Sequence, residues 1–284
     1  VRERGTVSRS RPARDVGRTR PRRGVLAIAG AALQQAVAYR ATTALGIALT
    51  FVWVIIQYYL WRSVYAARPV VGGFDFETMR TYVVLAYGLN ALVGWRIASE
   101  MMSSIRTGAV TLDVLRPIDY RTAQLARAAG WGVVEGALSL LVSIVVGLLL
   151  LRISPPAGPV ELVLFAVSVV LAFVTKALLV FLGSLLMFWT TNGLGVMWSL
   201  QALIQVLSGG VVPLSLLPSA VGAVVEVLPF RGVVWTPVGI YLGLGGLGRG
   251  VALLGLQALW VCVLWFAAGR AWRRAFAAVE VQGG

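Results

Sequence analysis

The chain has no histidine and a single cysteine, Cys262. Without imidazole the usual general base and the commonest metal ligand are both missing. One thiol closes no disulfide within a chain, and alone it supplies no ordinary zinc set. Enzymatic chemistry is not excluded by these absences, but its common constellations are not there. Charge is scarce as well: 13% of the 284 residues are Asp, Glu, Lys or Arg, and only 11 are acidic. A soluble domain carries about 25% charged residues. With 58% hydrophobic residues, a mean hydropathy of +0.84 and several apolar runs, the deficit marks a polytopic membrane protein with helical spans. The strand alternation of an outer-membrane barrel is absent. So is a phosphate-binding loop. "GLGGLGRG" (243–250) is glycine-rich but lacks the Lys-Ser/Thr ending, and reads as a flexible turn.

The charge that is present is basic, with a net of +14. Residues 1–23 hold nine arginines against Glu3 and Asp15, with Pro12 and Pro21 and little that could pack. They read as a disordered cytoplasmic tail that sets topology or meets lipid, in preference to a nucleic-acid arm. The segment is not a signal peptide, because its basic region is too long and no small-residue cleavage site follows a short apolar core. Residues 24–284 then form one all-α transmembrane domain. Its first part, 24–43, is alanine-rich and interrupted by Gln34, Gln35 and Arg40. It reads either as an amphipathic helix at the cytoplasmic surface or as the early part of the first span.

Six spans are predicted, at 45–61, 82–95, 131–151, 160–189, 194–217 and 248–268. The second is short and should begin a turn earlier, near Glu77. The fourth would be roughly 45 Å long and must tilt or protrude. With both termini in the cytoplasm, the inside segments carry 18 basic residues and the outside segments six. Trp61, Trp95, Trp131, Trp189 and Trp272 fall near predicted span ends, where indole suits the headgroup level, while Trp53 and Trp265 fall deeper and suit packing.

A charged stretch, 96–128, separates spans two and three. "RIASEMMSSIRTG" can form a short helix with Ile97, Met101, Ile105 and Met102 on one side. Arg96 and Glu100 are four apart and can pair, in the weaker order. Gly108 ends this piece. Pro117 restricts Arg116 to extended geometry, and a second short helix at 119–128 would be capped by Asp119, with Arg127 in its last turn. The expectation is two helical pieces joined by a rigid elbow. The bland reading is a solvated loop whose arginines set topology. The sharper one is a docking element, because apolar residues on a cytoplasmic helix want a surface to cover them.

"GAVTLDVLRPIDYR" (108–121) resembles the cytoplasmic-loop signature of ABC-2 type membrane subunits, in particular bacterial antibiotic-resistance exporter permeases. Their "LLRP" core appears here as "VLRP", with Val114 in place of the leading leucine. "LSGGVVPLSLLPSAVGAVVEVLPFRGVVWTPVGIYLG" (207–243) and "GRAWRRAFAAVEVQGG" (269–284) resemble the same family. The resemblance implies six spans, an amphipathic N-terminal helix, a coupling helix within 97–108 and a re-entrant hairpin at about 216–241. It also implies two permease subunits, identical or homologous, and two copies of a separate ABC ATPase subunit that binds ATP and magnesium. Arg96, Glu100, Met101, Ile105, Arg106 and Arg116 are the residues expected at that coupling contact.

The apolar stretch from Leu214 to Val238 is broken by Pro218, Pro229 and Pro237. Proline-broken apolar backbone at membrane depth must be covered by protein or line a cavity. It reads as a re-entrant or interfacial hairpin with Glu226 and Arg231 at the outer headgroup level, or as an outer loop hugging the bilayer. Lys176 is the deepest charge and, by default, a functional candidate. Glu135 is its tempting partner, but the two are offset by about 10 Å along the membrane normal. Snorkelling or a cavity-facing position is the other reading. Gln201 and Gln205, with Asn90, Asn192 and Gln257, line a path or bond between helices.

The leading expectation is a permease subunit of an ATP-driven exporter in the bacterial cytoplasmic membrane, moving an amphipathic or hydrophobic substrate outward. It carries no cofactor and no nucleic acid of its own. An ion-coupled secondary transporter built on Lys176 and Glu135 is the alternative, followed by a membrane-embedded lipid-modifying enzyme.

Overall fold

The computed structural model describes residues 21–94, 96–110, 118–190 and 192–282. Trp95, Arg116, the "VLRP" core and most of the basic tail lie outside the described residues. The tail boundary moves slightly, because helix α1 spans Pro21–Ala38 and takes Pro21 at its start, where a missing N–H costs nothing. Tyr39 interrupts the helical course, and α2 follows at Arg40–Ala67. Residues 24–38 are thus a separate helix, not the early part of the first span. α1 packs along α5 (Tyr120–Trp131). Gly130 permits the approach: a Cβ there would lie 2.4 Å from the Ala29 carbonyl oxygen.

A tight β-hairpin, β1 (Val70–Val71) and β2 (Phe74–Asp75), turns through Gly72 and Gly73, both at positive φ. Helix α3 (Phe76–Asn90) begins there, one residue from the expected Glu77, because the Asp75 carboxylate accepts a bond from the Thr78 amide at 2.9 Å. α3 is largely buried, with Met79, Leu85 and Leu89 fully enclosed. Its 15 residues give it about 22 Å, less than a bilayer core.

Helix α4 (Arg96–Arg106) follows. Both helical pieces expected in the charged stretch form, and the elbow between them lies outside the described residues. The piece capped by Asp119 does form, as α5, but it does not stop before the third span. It runs through a π-helical turn at Gly132–Gly136 into α6 (Ala137–Leu149), one apolar helix over Tyr120–Leu149. α7 (Pro159–Ser184) extends as a 3-10 turn to Phe188. α8 (Gly193–Leu207) is again only 15 residues long. Then come two short helices, α9 (Ser219–Val227) and α10 (Trp235–Tyr241), joined by a 3-10 turn at Pro229–Gly232. α11 (Gly246–Gln282) closes the described chain with 37 residues.

Among the described residues four helices are long and apolar enough to cross a membrane: Ala41–Ala67, Tyr120–Leu149, Pro159–Phe188 and Gly246–Ala277. The predicted second and fifth spans correspond to the short helices α3 and α8. Outward-facing apolar side chains such as Leu49, Ile56, Val163 and Phe266 give the bundle a hydrocarbon exterior. Trp53 joins them, 56% exposed, while Trp61, Trp131 and Trp272 are buried in contacts between elements. The tryptophan reading from span position is corrected there: the sequence gives depth but not which face of the helix looks inward.

The bundle has two distinct ends. At one, the β-hairpin meets Leu216, and Tyr241 accepts from the Ala157 amide. At the other, α1, α4 and the ends of α7 and α11 gather. The α9–α10 pair starts and finishes at the β-hairpin end. Its turn lies beside Thr175 and Gln257. Those positions are about 24 Å and about 16 Å along α7 and α11 from their first residues. Arg231 therefore sits buried inside the bundle and not at its rim, whereas Glu226 is exposed on α9.

Candidate coupling face and the polar layer beneath it

α4 is amphipathic by spacing. Ile97, Ala98 and Met101 are buried, and Met102 and Ile105 pack against the same core. Gly193, at the start of α8, leaves room for Met102: a Cβ there would lie 2.9 Å from its Cγ. The apolar face expected to meet a partner is thus covered by the chain itself. What remains open is the opposite face, with Ser103, Arg106 and Thr107 exposed and Ser99 half-buried, at a spacing that keeps them on one side.

Arg96 does not pair with Glu100. Its Nη2 bonds Glu135 Oε1 at 3.1 Å, and its guanidinium lies 3.2 Å from the centroid of the Trp131 ring. Glu100 instead faces Arg127 at 3.8 Å. Both contacts tie α4 to the long helix at or before its π turn. That turn is itself seated on the segment after α3: a Cβ on Gly136 would lie 2.6 Å from Leu92 Cα. A π turn adds one residue to a helical circuit and is a recognised place for a helix to bend.

Two residues that the sequence reading passed over hold the start of α5. Tyr120 stacks on Trp272 at 4.0 Å between ring centroids, within a group that includes Phe181 and Phe276. Arg121 lies over Trp265 at 3.7 Å and donates to the Trp265 carbonyl. It fits because residue 269 is glycine; a Cβ there would be 2.7 Å from Arg121 Nη1. The "DYR" end of the charged stretch therefore grips "GRAWRRAF" near the end of α11. The signal was available as two motifs with matching aromatic and cationic content, but nothing local said they touch.

Beneath this face lies a polar layer where the backbone is broken. α3 ends at Asn90, α8 ends at Leu207 and the α9–α10 pair turns at Pro229–Gly232. Buried backbone groups freed in this way need partners. Lys176, fully buried, donates from Nζ to the Asn90 carbonyl at the C-terminus of α3, where the helix dipole favours a cation. Gln257 Nε2 donates to Gly232 at 2.7 Å and to Ser168 at 3.0 Å, and its Oε1 accepts from Ser168 Oγ at 2.9 Å. Tyr82 donates to Gly209, Trp260 to Val227 at 2.9 Å, and the Trp235 amide to Ser208 at 3.1 Å. Arg231 Nη1 donates to the Glu226 carbonyl at 3.0 Å. Lys176 and Glu135 thus have separate partners. Gln201 and Gln205 lie half-buried on α8.

Against known proteins, the chain matches the family described as ABC-2 family transporter protein over residues 51–283. The chain belongs to the ABC-2 transporter family. No match among curated proteins is found. The matched region begins inside α2 and takes in α4, the long α5–α6 helix, the polar layer and the "GRAWRRAF" segment. ABC-2 proteins are transport subunits without catalytic centres of their own, and they pair with a nucleotide-binding ABC ATPase. Among the described residues no group of three or more His, Cys, Asp or Glu could hold a metal. The structure adds Tyr120 and Arg121 as anchors that the sequence reading had not assigned, shows Gln257 bonding between helices, one of its two expected roles, and leaves Ser103 and Arg106 as the open positions of α4.

Proposed function

We propose that this chain is the permease subunit of an ATP-driven exporter that moves an amphipathic or hydrophobic molecule out across a bacterial cytoplasmic membrane. The observation that carries the proposal is α4, a short helix locked to its own bundle on one face and polar and open on the other. A coupling element needs both properties: a rigid tie to the membrane helices and a free surface for an ATPase. Ser103, Arg106 and Thr107 form that surface, with Arg116 beyond the described residues; Arg96, Glu100, Met101 and Ile105 act as its anchors. ATP and magnesium belong to the partner.

In this reading the chain crosses the membrane six times, with α3 and α8 as short crossings completed by neighbouring loops. Both termini are cytoplasmic, which puts the arginine-rich segment and α1 on the α4 side, where basic residues meet anionic lipid. The α9–α10 pair is a re-entrant hairpin that enters from the outside and turns inside the bundle. Its depth, its return to the same end and the side chains that satisfy its backbone support this. Two permease subunits, identical or homologous, and two ATPase subunits complete the complex.

The test uses the chain's single cysteine. In a Cys262→Ser background, cysteine placed at Ser103 or Arg106 should cross-link to a co-purifying soluble subunit with ATPase activity. Cysteine at Met101 should not. Absence of any ATPase from a preparation that retains its oligomer would refute the exporter reading.

A further inference from the structure

Between α7, the α9–α10 turn and α11 lies a partly enclosed cavity of about 10 Å³, lined by Thr175, Arg231, Gly232, Thr236, Gln257 and Trp260 among others. That is room for one water-sized particle. Arg231 is 6% exposed, yet its Nε and Nη2 have no acceptor, and Thr175 Oγ1 is also buried without a partner. Among the described residues no carboxylate forms an ion pair with Arg231. The one bond it makes is to the neutral carbonyl of Glu226. The Gln257 amide is already spent: both amide hydrogens go to backbone carbonyls and its oxygen accepts from Ser168.

A buried guanidinium with two N–H groups unpaired is costly in a low-dielectric interior; the Glu226 carboxylate acts on it only from the exposed face of α9, and the like charge of Arg249 opposes it. Lys176, one residue from Thr175, adds a second buried positive charge to the same layer and is likewise bound to a neutral carbonyl. A water in the cavity would accept from Arg231 but bring no negative charge to it. A small anion does both, and two of the three free polar atoms are obligate donors. We propose that this cavity binds one monovalent anion of chloride size, held by Arg231 Nε and Nη2 and the Thr175 hydroxyl, and that the anion fastens the α9–α10 turn to α7 and α11.

The experiment uses the purified full chain with its co-purifying ATPase subunit, at constant ionic strength, in chloride, bromide or gluconate. The thermal midpoint should rise by a few degrees as chloride or bromide goes from its half-effective concentration to about 100 times it, as ligand linkage requires. Gluconate, too large to enter, should leave it unchanged. Thr175→Val should abolish most of the shift while folding normally, and Arg231→Gln should abolish all of it. Crystals soaked in bromide should give an anomalous peak beside Arg231. A water in place of that peak, or an equal chloride shift in wild type and Thr175→Val, would overturn the proposal, as would no shift in the wild type.

Discussion

The tie between α4 and the long helix can be taken apart one interaction at a time. Arg96 and Glu135 are 34% and 28% exposed, so their ion pair falls in the range of partly solvated pairs, about 0.5–1 kcal/mol. The stack of Arg96 on Trp131 adds about 1 kcal/mol, as cation–π contacts at half-buried sites do. Glu135→Gln removes the charge pair and keeps the stack. It should raise the open population of α4 by about two- to fivefold. Arg96→Ala removes both, for about 1.5 kcal/mol or slightly more, and should raise it more than tenfold. Arg96→Lys should fall between wild type and the alanine variant, because an ammonium keeps the charge but not the plane of guanidinium. Hydrogen exchange of the backbone amides of α4 in the full complex reads these populations directly. The same variants should show ATP hydrolysis that is less tightly matched to transport. If Glu135→Gln and Arg96→Ala give the same protection as wild type, the two contacts do not hold α4. If the two variants are equal to each other but weaker than wild type, the stack on Trp131 contributes nothing.

Three further outcomes are expected. Gln257→Leu deprives Gly232 and Ser168 of their partners and should cost about 2–4 kcal/mol, seen as a lowered thermal midpoint, at the usual cost of buried unsatisfied groups. Lys176→Met leaves the Asn90 carbonyl bare but relieves a buried charge, so a net loss of about 1–3 kcal/mol with transport retained is expected; a folded variant without transport would place Lys176 on the path instead. The hydrogen bonds from Thr78 hold the Asp75 carboxyl below its ordinary value. A lowered folded-state value means that Asp75's contribution is complete above the unfolded value of about 3.9 and fades as pH falls through the lower one. Asp75→Asn should therefore flatten the acid limb of the stability profile, and an unchanged limb would deny Asp75 that role.

The sequence carried the class, the long helices and the place of the charged stretch, because apolar length and charge spacing are local properties. The start of α3 was legible within one residue because its apolar run is too short for a span and points a turn back; the Asp75 cap that fixes it is a local signal the reading did not use. Two things were not legible. The first is continuity: the sequence reading ends one helix at 128 and starts a span at 131, yet Gly130, Gly132 and Gly136 let neighbours approach a helix that runs on from Tyr120 to Leu149. The second is the polar layer. Lys176 reads as a pathway charge when only span four is considered. Its partner, Asn90, is 86 residues away, and Gln257 reaches Ser168 across 89. Which face of α4 is free depends likewise on α7 and α8, which the loop itself does not name.

The fusion of α5 with α6 makes a lever with a fulcrum. From Tyr120 to the π turn at Gly132 the lower arm is about 18 Å long. Each 10° of bend at the fulcrum swings its tip, where Tyr120 and Arg121 hold the last helix, by about 3 Å. A hinge in a loop would dissipate such a stroke in slack. Here the arm is stiff, and Arg96 and Arg127 attach α4 along its length, so a displacement of α4 would be carried to the fulcrum.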